Sequence, residues 1–276
     1  TGKTVNWEGK ITIVAGSTYA IHQLKQAYSA LGERFLMYNL LLPDGIDAAR
    51  RAMENQESGR MKENRAMLNK ATKEYVDNYI KVPPELSKIN HELREEILVL
   101  AELATRARSD VERNYRSPQQ EITDVNPPEM PARFASQLQT FALALMVINW
   151  NENGQAELLQ DDKAILHKLA LDSVTRSRRR AMQELAKYEV IKTAGLAVKM
   201  SLPTNSVRRW LEDLVALEVA DREKGTGPEG DAWKIKEKYR QIVLKFENLR
   251  MEEGQLTEDT EELLAEAEAI RAELPF

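Results

Sequence analysis

Cysteine is absent from this sequence of 276 residues, and histidine is rare. The lack of cysteine excludes a disulfide scaffold and any metal site built on thiolates. His22, His91 and His167 lie far apart and in no metal-ligand spacing, so neither a zinc site nor a histidine-based catalytic site is expected. No secretory signal peptide is recognisable, which together with the absence of cysteine favours a cytoplasmic protein.

Long apolar runs are also missing, since a membrane span needs about 20 such residues. We therefore expect no membrane partner. The composition, 42% hydrophobic and 30% charged, is typical of a helix-rich chain that can bury sizeable cores. Proteins of this length accommodate two domains.

Charge is unevenly distributed along the chain, although the formal net charge is only −5. Between Asp172 and Arg209 there are nine Lys or Arg residues against three acids. From Glu252 to the end there are nine acids and one basic residue, Arg271. A basic module followed by an acidic segment indicates a local polyanion-binding surface better than the net charge does.

The stretch Lys10–Pro43 has the pattern strand, helix, strand. A short β-branched run that includes Val14 predicts a buried strand, and polar Ser17 and Thr18 follow it. A helical spacing comes next, a Gly-Glu-Arg turn breaks it, and Phe35 begins a second apolar strand that runs to Leu42. This order predicts two parallel strands joined by a crossover helix.

These residues resemble the second half of the ATPase core in AAA+ proteins, especially helicases of the minichromosome maintenance type. The resemblance implies that Ser17 or Thr18 acts as the sensor facing the nucleotide phosphate. It implies that Arg34, within Gly32-Glu33-Arg34-Phe35, is an arginine finger acting on a neighbouring subunit, and that Leu42-Pro43-Asp44 ends the strand. The alternative for Arg34 is a surface side chain at a helix C-terminus, where a cation is favourable.

No complete phosphate-binding loop accompanies this pattern. Thr1-Gly2-Lys3-Thr4 lacks the first glycine and the preceding strand of a Walker A motif, and no Walker B strand is present. We therefore expect a C-terminal fragment that does not hydrolyse ATP alone. The resemblance implies that ATP and Mg²⁺ belong to a longer parent ATPase that self-associates through this part, and that functions in DNA replication in a phage or mobile element.

The middle of the chain is predicted to be helical. A strong apolar stripe runs through 132–149, and Arg133 stands in the first turn of that helix. Arg133 resembles the sensor 2 arginine of such helicases, which contacts nucleotide. The alternative is an ordinary solvated arginine.

From Asp172 the pattern becomes helix, helix, turn, helix, followed by two short strands around a glycine-rich tip. The third helix, 205–217, has Val207, Trp210 and Leu211 on one face and polar or basic residues at its start. This order is typical of a winged helix-turn-helix domain. The predicted DNA-binding residues are Asn205, Ser206, Arg208, Arg209, Arg222, Lys224, Arg178 and Arg179. Winged helices also serve as protein-interaction modules, which remains the alternative for this domain.

Together these patterns predict a mainly α fold with small β elements. The four predicted segments are residues 1–45, the end of an ATPase core sheet; 46–152, a helical lid-like domain; 153–250, a winged helix; and 251–276, an acidic helix. The predicted function is that of a DNA-binding fragment of a helicase-like ATPase. The alternative is a winged-helix transcriptional regulator with an N-terminal dimerisation or sensing domain.

Overall fold

The computed structural model of the chain describes residues 14–16, 35–40, 46, 49–50, 53–54, 61–78, 80–81, 88–114, 116–117, 120–225 and 230–246. The predictions for Ser17, Thr18, Arg34 and the acidic residues 251–276 lie outside these residues.

The described parts of the stretch 10–43 do not form the predicted strands. Val14 is 96% exposed and belongs to no strand, so its predicted burial in a sheet is wrong. Residues 35–40 are likewise in no strand. The backbone of Asn39 instead contacts helical residues: its N–H donates to the Asp172 carboxylate at 2.7 Å, and its carbonyl accepts from Lys168 Nζ at 2.8 Å. These polar contacts take the place of the predicted sheet pairing.

Before residue 154, the described residues include helical positions at 46, 49–50 and 53–54, three further helices and a hairpin. Helix α1 is Met61–Asn78, α2 is His91–Ala107, and α3 is Ala132–Asn153. The Asn90 side chain caps α2 by accepting the Leu93 N–H at 2.8 Å. Between α2 and α3, strand β1, Val111–Arg113, pairs antiparallel with β2, Ile122–Val125.

The second half contains the elements α4, Gln160–Asp172; α5, Arg176–Ala186; β3, Ile191–Lys192; α6, Thr193–Met200; α7, Thr204–Ala216; β4, Ala220–Glu223; and β5, Ala232–Ile235. Residues 237–246 are helical again. Strands β3, β5 and β4 form an antiparallel sheet in that order. The order α5–β3–α6–α7–β4–β5 with this sheet is that of a winged helix, which confirms the predicted fold.

The turn between α6 and α7 has the geometry of a helix-turn-helix. Ser201 ends α6 in the left-handed conformation, with φ 53°. The next amide, Leu202 N–H, reaches back to the Ala197 carbonyl at 3.1 Å and closes the end of α6. Pro203 then precedes the first residue of α7, a position where its missing N–H costs no helical hydrogen bond.

Buried apolar side chains between Ile89 and Phe246 form one continuous core. Helix α2 packs on α3 and α4, while α5 packs on α6, α7 and β5. The core therefore passes across the predicted boundary between residues 152 and 153. The division into four domains stays a prediction.

A buried ionic cluster fixes α4 against α2. His167, fully buried, contacts the Glu96 carboxylate through Nε2, and Lys245 Nζ donates to the same carboxylate at 2.6 Å. Burial raises the pKa of Glu96, but the hydrogen bonds from His167 and Lys245 outweigh it and lower that pKa to about 2. The structure thus places His167 in a structural role.

Candidate nucleic-acid interface

Helix α7 is packed on the core along one side, and its first turn is exposed. Val207, Leu211 and Leu214 are fully buried and set the rotation of α7 on the domain. Because residues three and four apart share a helix face, the side of α7 opposite these three is turned outward. Asn205 is exposed on this outward side, and Ser206 is partly exposed.

Arg208 extends from the same outward side, one turn further along α7. Its side chain is 40% exposed, and its guanidinium lies 3.8 Å from Glu212, one turn on. A pair of this kind at a partly exposed site contributes little to stability, so the guanidinium can exchange it for a phosphate or a base edge at low cost.

Two nitrogens of the Arg209 guanidinium are hydrogen-bonded within the domain. Its Nε donates to the carbonyl of Asn205 at 3.1 Å, and its Nη1 donates to the side-chain oxygen of Gln120, in the loop between β1 and β2. The bond to Asn205 folds the side chain toward the start of α7. The guanidinium therefore lies beside Asn205 with further N–H groups unused by these two bonds.

The wing is formed by β4 and β5. Arg222 Nε donates to Asp231 at 2.7 Å, and its guanidinium lies 5.1 Å from the centroid of the Trp233 ring. The Gly225 N–H, together with Arg222, lowers the pKa of Asp231, so this carboxylate stays charged and anchors the wing. Lys224 is exposed. Of the two predicted wing contacts, Lys224 is thus the more available, since Arg222 already has internal partners.

Trp233 ties the wing to the helix-turn-helix. Its ring is buried, and its Nε1–H donates to the Thr193 hydroxyl at 2.7 Å. Thr193 opens α6, so this bond connects β5 to the helix before the turn. The wing and α7 consequently keep a fixed spacing.

Arg178 lies inside the domain. It is 7% exposed, and its Nη1 donates to the carbonyls of Ala107 at 3.1 Å and Ser109 at 2.5 Å. Its Nε donates to Asp213, on α7, at 3.3 Å. A buried guanidinium with these partners does not lie on a phosphate, so the predicted DNA contact of Arg178 is replaced by a structural role.

Arg179 is also engaged internally. Its guanidinium pairs with Asp172, a fully buried acid at the end of α4. The same carboxylate accepts from Lys168 at 2.7 Å and from the Asn39 N–H. Arg179 thus neutralises a buried charge, and it is not brought together with Asn205 and Arg208 in this role.

The β1–β2 hairpin, which the sequence did not predict, lies along α7. Arg113 of β1 is the link, with a side chain only 5% exposed. It donates to Asp213 at 2.6 Å and 3.0 Å, to Glu212 at 3.2 Å and to the Arg209 carbonyl at 2.8 Å. Arg113 also donates to the Gln120 carbonyl at 2.7 Å, across the hairpin. The hairpin is therefore fixed to the side of α7 by charge-assisted hydrogen bonds.

A groove of about 450 Å³ follows the outward side of α7. The hairpin forms one wall and the wing strand β4 the other. Its lining consists of Glu121, Ile122, Arg208, Glu212, Val215, Ala216 and Arg222. Both acids and both arginines face this groove, so its charge is mixed, whereas the start of α7 beyond it exposes polar and basic groups.

Arg133, the proposed sensor 2 residue, is exposed in the first turn of α3. Its expected partners Arg34, Ser17 and Thr18 lie outside the described residues, so a nucleotide site stays a prediction. Within the part of the chain that the structure describes, no group of His, Asp and Glu side chains is arranged to hold a metal ion. In that same part, no helix is long and apolar enough to cross a membrane.

One signal in the sequence could have identified the interior role of Arg178. Arg178 stands four residues before Met182 and seven before Leu185, both buried, so helical spacing places it on the buried side of α5. Arg113 and Gln120 carry no comparable local signal, because their partners on α7 are about 90 to 100 residues away in sequence.

No protein-family model matches the chain, and no curated protein matches it. Among solved structures, ZitR of Lactococcus lactis is 17% identical, over 50% of this chain and 94% of that one, with a TM-score of 0.30. The reduced form of MarR from E. coli is 14% identical over 54% and 100%, also at 0.30. RV1404 from Mycobacterium tuberculosis is 19% identical over 54% and 98%, at 0.28. Because these TM-scores are low, the winged-helix assignment rests on the topology described above.

Proposed function

We propose that the winged-helix domain binds duplex DNA, with the start of α7 in the major groove and the wing beside the phosphate backbone. The observation that carries this proposal is the outward side of α7: a well-packed helix begins with exposed Asn205 and partly exposed Arg208, and Arg209 is folded toward the same end. Short polar and cationic side chains at the first turns of such a helix are those that reach base edges in helix-turn-helix proteins.

The roles of the individual residues follow from their chemistry. Arg208 and Arg209 offer forked donors that suit the acceptor pair of guanine or a phosphate, while Asn205 offers the donor and acceptor pair that suits adenine. Lys224 on the wing is an exposed point charge that suits a phosphate. Ser206 supports this set as a short hydroxyl for a phosphate oxygen.

For the chain as a whole we favour a DNA-binding regulator over a helicase fragment. The described residues of the stretch 10–43 lie in no strand, which removes support for the ATPase sheet. An ATPase part in which Arg34, Ser17 or Thr18 meets nucleotide, together with ATP, Mg²⁺ and self-association, stays a prediction for a longer parent.

The test is fluorescence anisotropy with a labelled duplex at about 50 and 200 mM salt, where phosphate contacts weaken steeply as counterions are released. The Arg208→Ala/Arg209→Ala variant should bind about ten- to a hundred-fold more weakly. The matched control is Lys88→Ala/Arg94→Ala, which removes two exposed cations near the start of α2. Equal affinity of the two double variants would contradict the assignment of α7 as the reading helix.

A second candidate is a protein-binding role, favoured by one observation. The groove along α7 has mixed charge and an apolar floor at Val215 and Ala216, which suits a peptide better than a phosphate backbone. Absence of salt-dependent DNA binding by the unmodified chain would favour this candidate.

A further inference from the structure

The position of the β1–β2 hairpin carries an inference about the size of the binding surface, and it rests on the proposed DNA-binding function. The hairpin and the wing strand β4 form the two walls of the groove whose floor is α7. The recognition helix is therefore flanked on both sides by β-structure. A winged helix in which only β4 and β5 flank α7 would leave one of these sides open.

The direction of the hairpin follows from three contacts. Its base lies near the last turn of α7, because Ser109 and Asp213 share Arg178 as a partner. Further out, Arg113 contacts the carbonyl of Arg209, one turn closer to the start of α7. At the loop, Gln120 contacts the Arg209 guanidinium, which is itself folded toward Asn205. The hairpin thus runs toward the start of α7, and its loop lies beside the exposed first turn.

The hairpin is a fixed element. The side chain of Arg113 is almost fully buried and has five hydrogen bonds to Asp213, Glu212 and two carbonyls. Asp213 is in turn bound by Arg178 from α5. Moving the hairpin away from α7 would break all of these charge-assisted bonds together. We therefore expect the hairpin to stay in place and not to act as a mobile cover over α7.

We propose that the β1–β2 hairpin is a second wing, which contacts duplex DNA on the side of α7 opposite β4 and β5. The loop supplies Arg116, which is exposed, for a phosphate. Gln120 acts as a positioning residue, because its side-chain oxygen orients the Arg209 guanidinium while leaving N–H groups for DNA. Glu112 and Asp124 are exposed acids on the strands of the hairpin, where they disfavour a phosphate contact.

The first test replaces Arg116 by Ala and measures anisotropy at several salt concentrations. Loss of one phosphate contact should weaken binding about three- to ten-fold, equally for different sequences, and reduce the salt slope by about 1. The matched control is Arg94→Ala. Arg94 is exposed on α2, thirteen residues before the end of that helix, and so about 20 Å from the hairpin base.

The second test addresses positioning through a double-mutant cycle. Gln120→Ala should weaken DNA binding about two- to five-fold in the unmodified chain and have no further effect when Arg209 is already Ala. An increase in affinity for Gln120→Ala would overturn the proposal, since it would identify the hairpin as a cover that DNA must displace.

The outcomes separate the two proposals. Absence of salt-dependent duplex binding in the unmodified chain would defeat the DNA-binding function itself. Binding that depends on Arg208 but is the same for Arg116→Ala and Arg94→Ala would leave that function intact and overturn the second wing.

Discussion

Replacing Asp213 by Ala should destabilise the domain more than any change at its exposed surface. Asp213 is 13% exposed and accepts from Arg113 and Arg178, whose side chains are 5% and 9% exposed. Removing one partner of a buried ion pair costs about 3–5 kcal/mol. Because both guanidiniums keep carbonyl partners, the lower end applies, and we expect a loss of about 3 kcal/mol in unfolding free energy.

The assay is urea denaturation followed by far-UV circular dichroism and by tryptophan fluorescence. For a domain of this size, a loss of about 3 kcal/mol also lowers Tm by about 6–12 °C. Asp213→Asn keeps one acceptor and should cost about half as much. Glu112→Ala, an exposed acid next to Arg113, should change stability by no more than about 0.5 kcal/mol.

A double-mutant cycle distinguishes loss of the Arg113–Asp213 ion pair from a general disruption of the fold. The double variant Arg113→Met/Asp213→Ala should lose about 1–3 kcal/mol less unfolding free energy than the sum of the two single variants, because each change removes the same ion pair. If Asp213→Ala costs less than about 1 kcal/mol, or if the two changes are additive, the reasoning that this cluster holds the hairpin to α7 is wrong.

Three further predictions concern other parts of the fold. Thr193→Val leaves a buried indole N–H without its acceptor and should cost about 1–3 kcal/mol in urea denaturation, with Thr193→Ser as the control that keeps the hydroxyl. Ser201→Gly removes the steric cost of the left-handed conformation, so it should raise the free energy of unfolding by about 0.5–1 kcal/mol and raise Tm. Ser201→Val should lower both. Glu96, whose pKa falls from 4.5 unfolded to about 2 folded through His167 and Lys245, stabilises the chain above pH 4.5. That contribution, no more than about 2 kcal/mol after solvent screening, is lost as pH falls from 4.5 to 2, and Glu96→Gln should remove it.

Local periodicity was sufficient to predict the winged helix. Val207, Leu211 and Leu214 repeat with helical spacing on α7, and glycine-rich residues separate the two strands of the wing. Each of these elements is determined by neighbours in sequence, so the pattern of apolar residues identifies it. The mainly helical fold class was confirmed for the same reason.

Long-range polar contacts were beyond the reach of that pattern. Strands β1 and β2 are three and four residues long and half-exposed, and their position depends on Arg113 meeting Asp213 a hundred residues later. The run of three arginines in α5 shows a different limit, that of counting charges without regard to helical spacing. Composition indicates a basic surface there, yet Arg178 turns inward to carbonyls and Arg179 pairs with a buried acid. Charge counted along the sequence therefore overstated the number of cations available to DNA.

Hydrogen–deuterium exchange with and without a short duplex tests the central claim most directly. The account predicts slower exchange on DNA binding at the start of α7, around residues 204–209, and at the wing, around 222–225. Protection confined to α2 and α3, or no protection at a duplex concentration that saturates anisotropy, would contradict the claim that α7 and the wing form the DNA-binding surface.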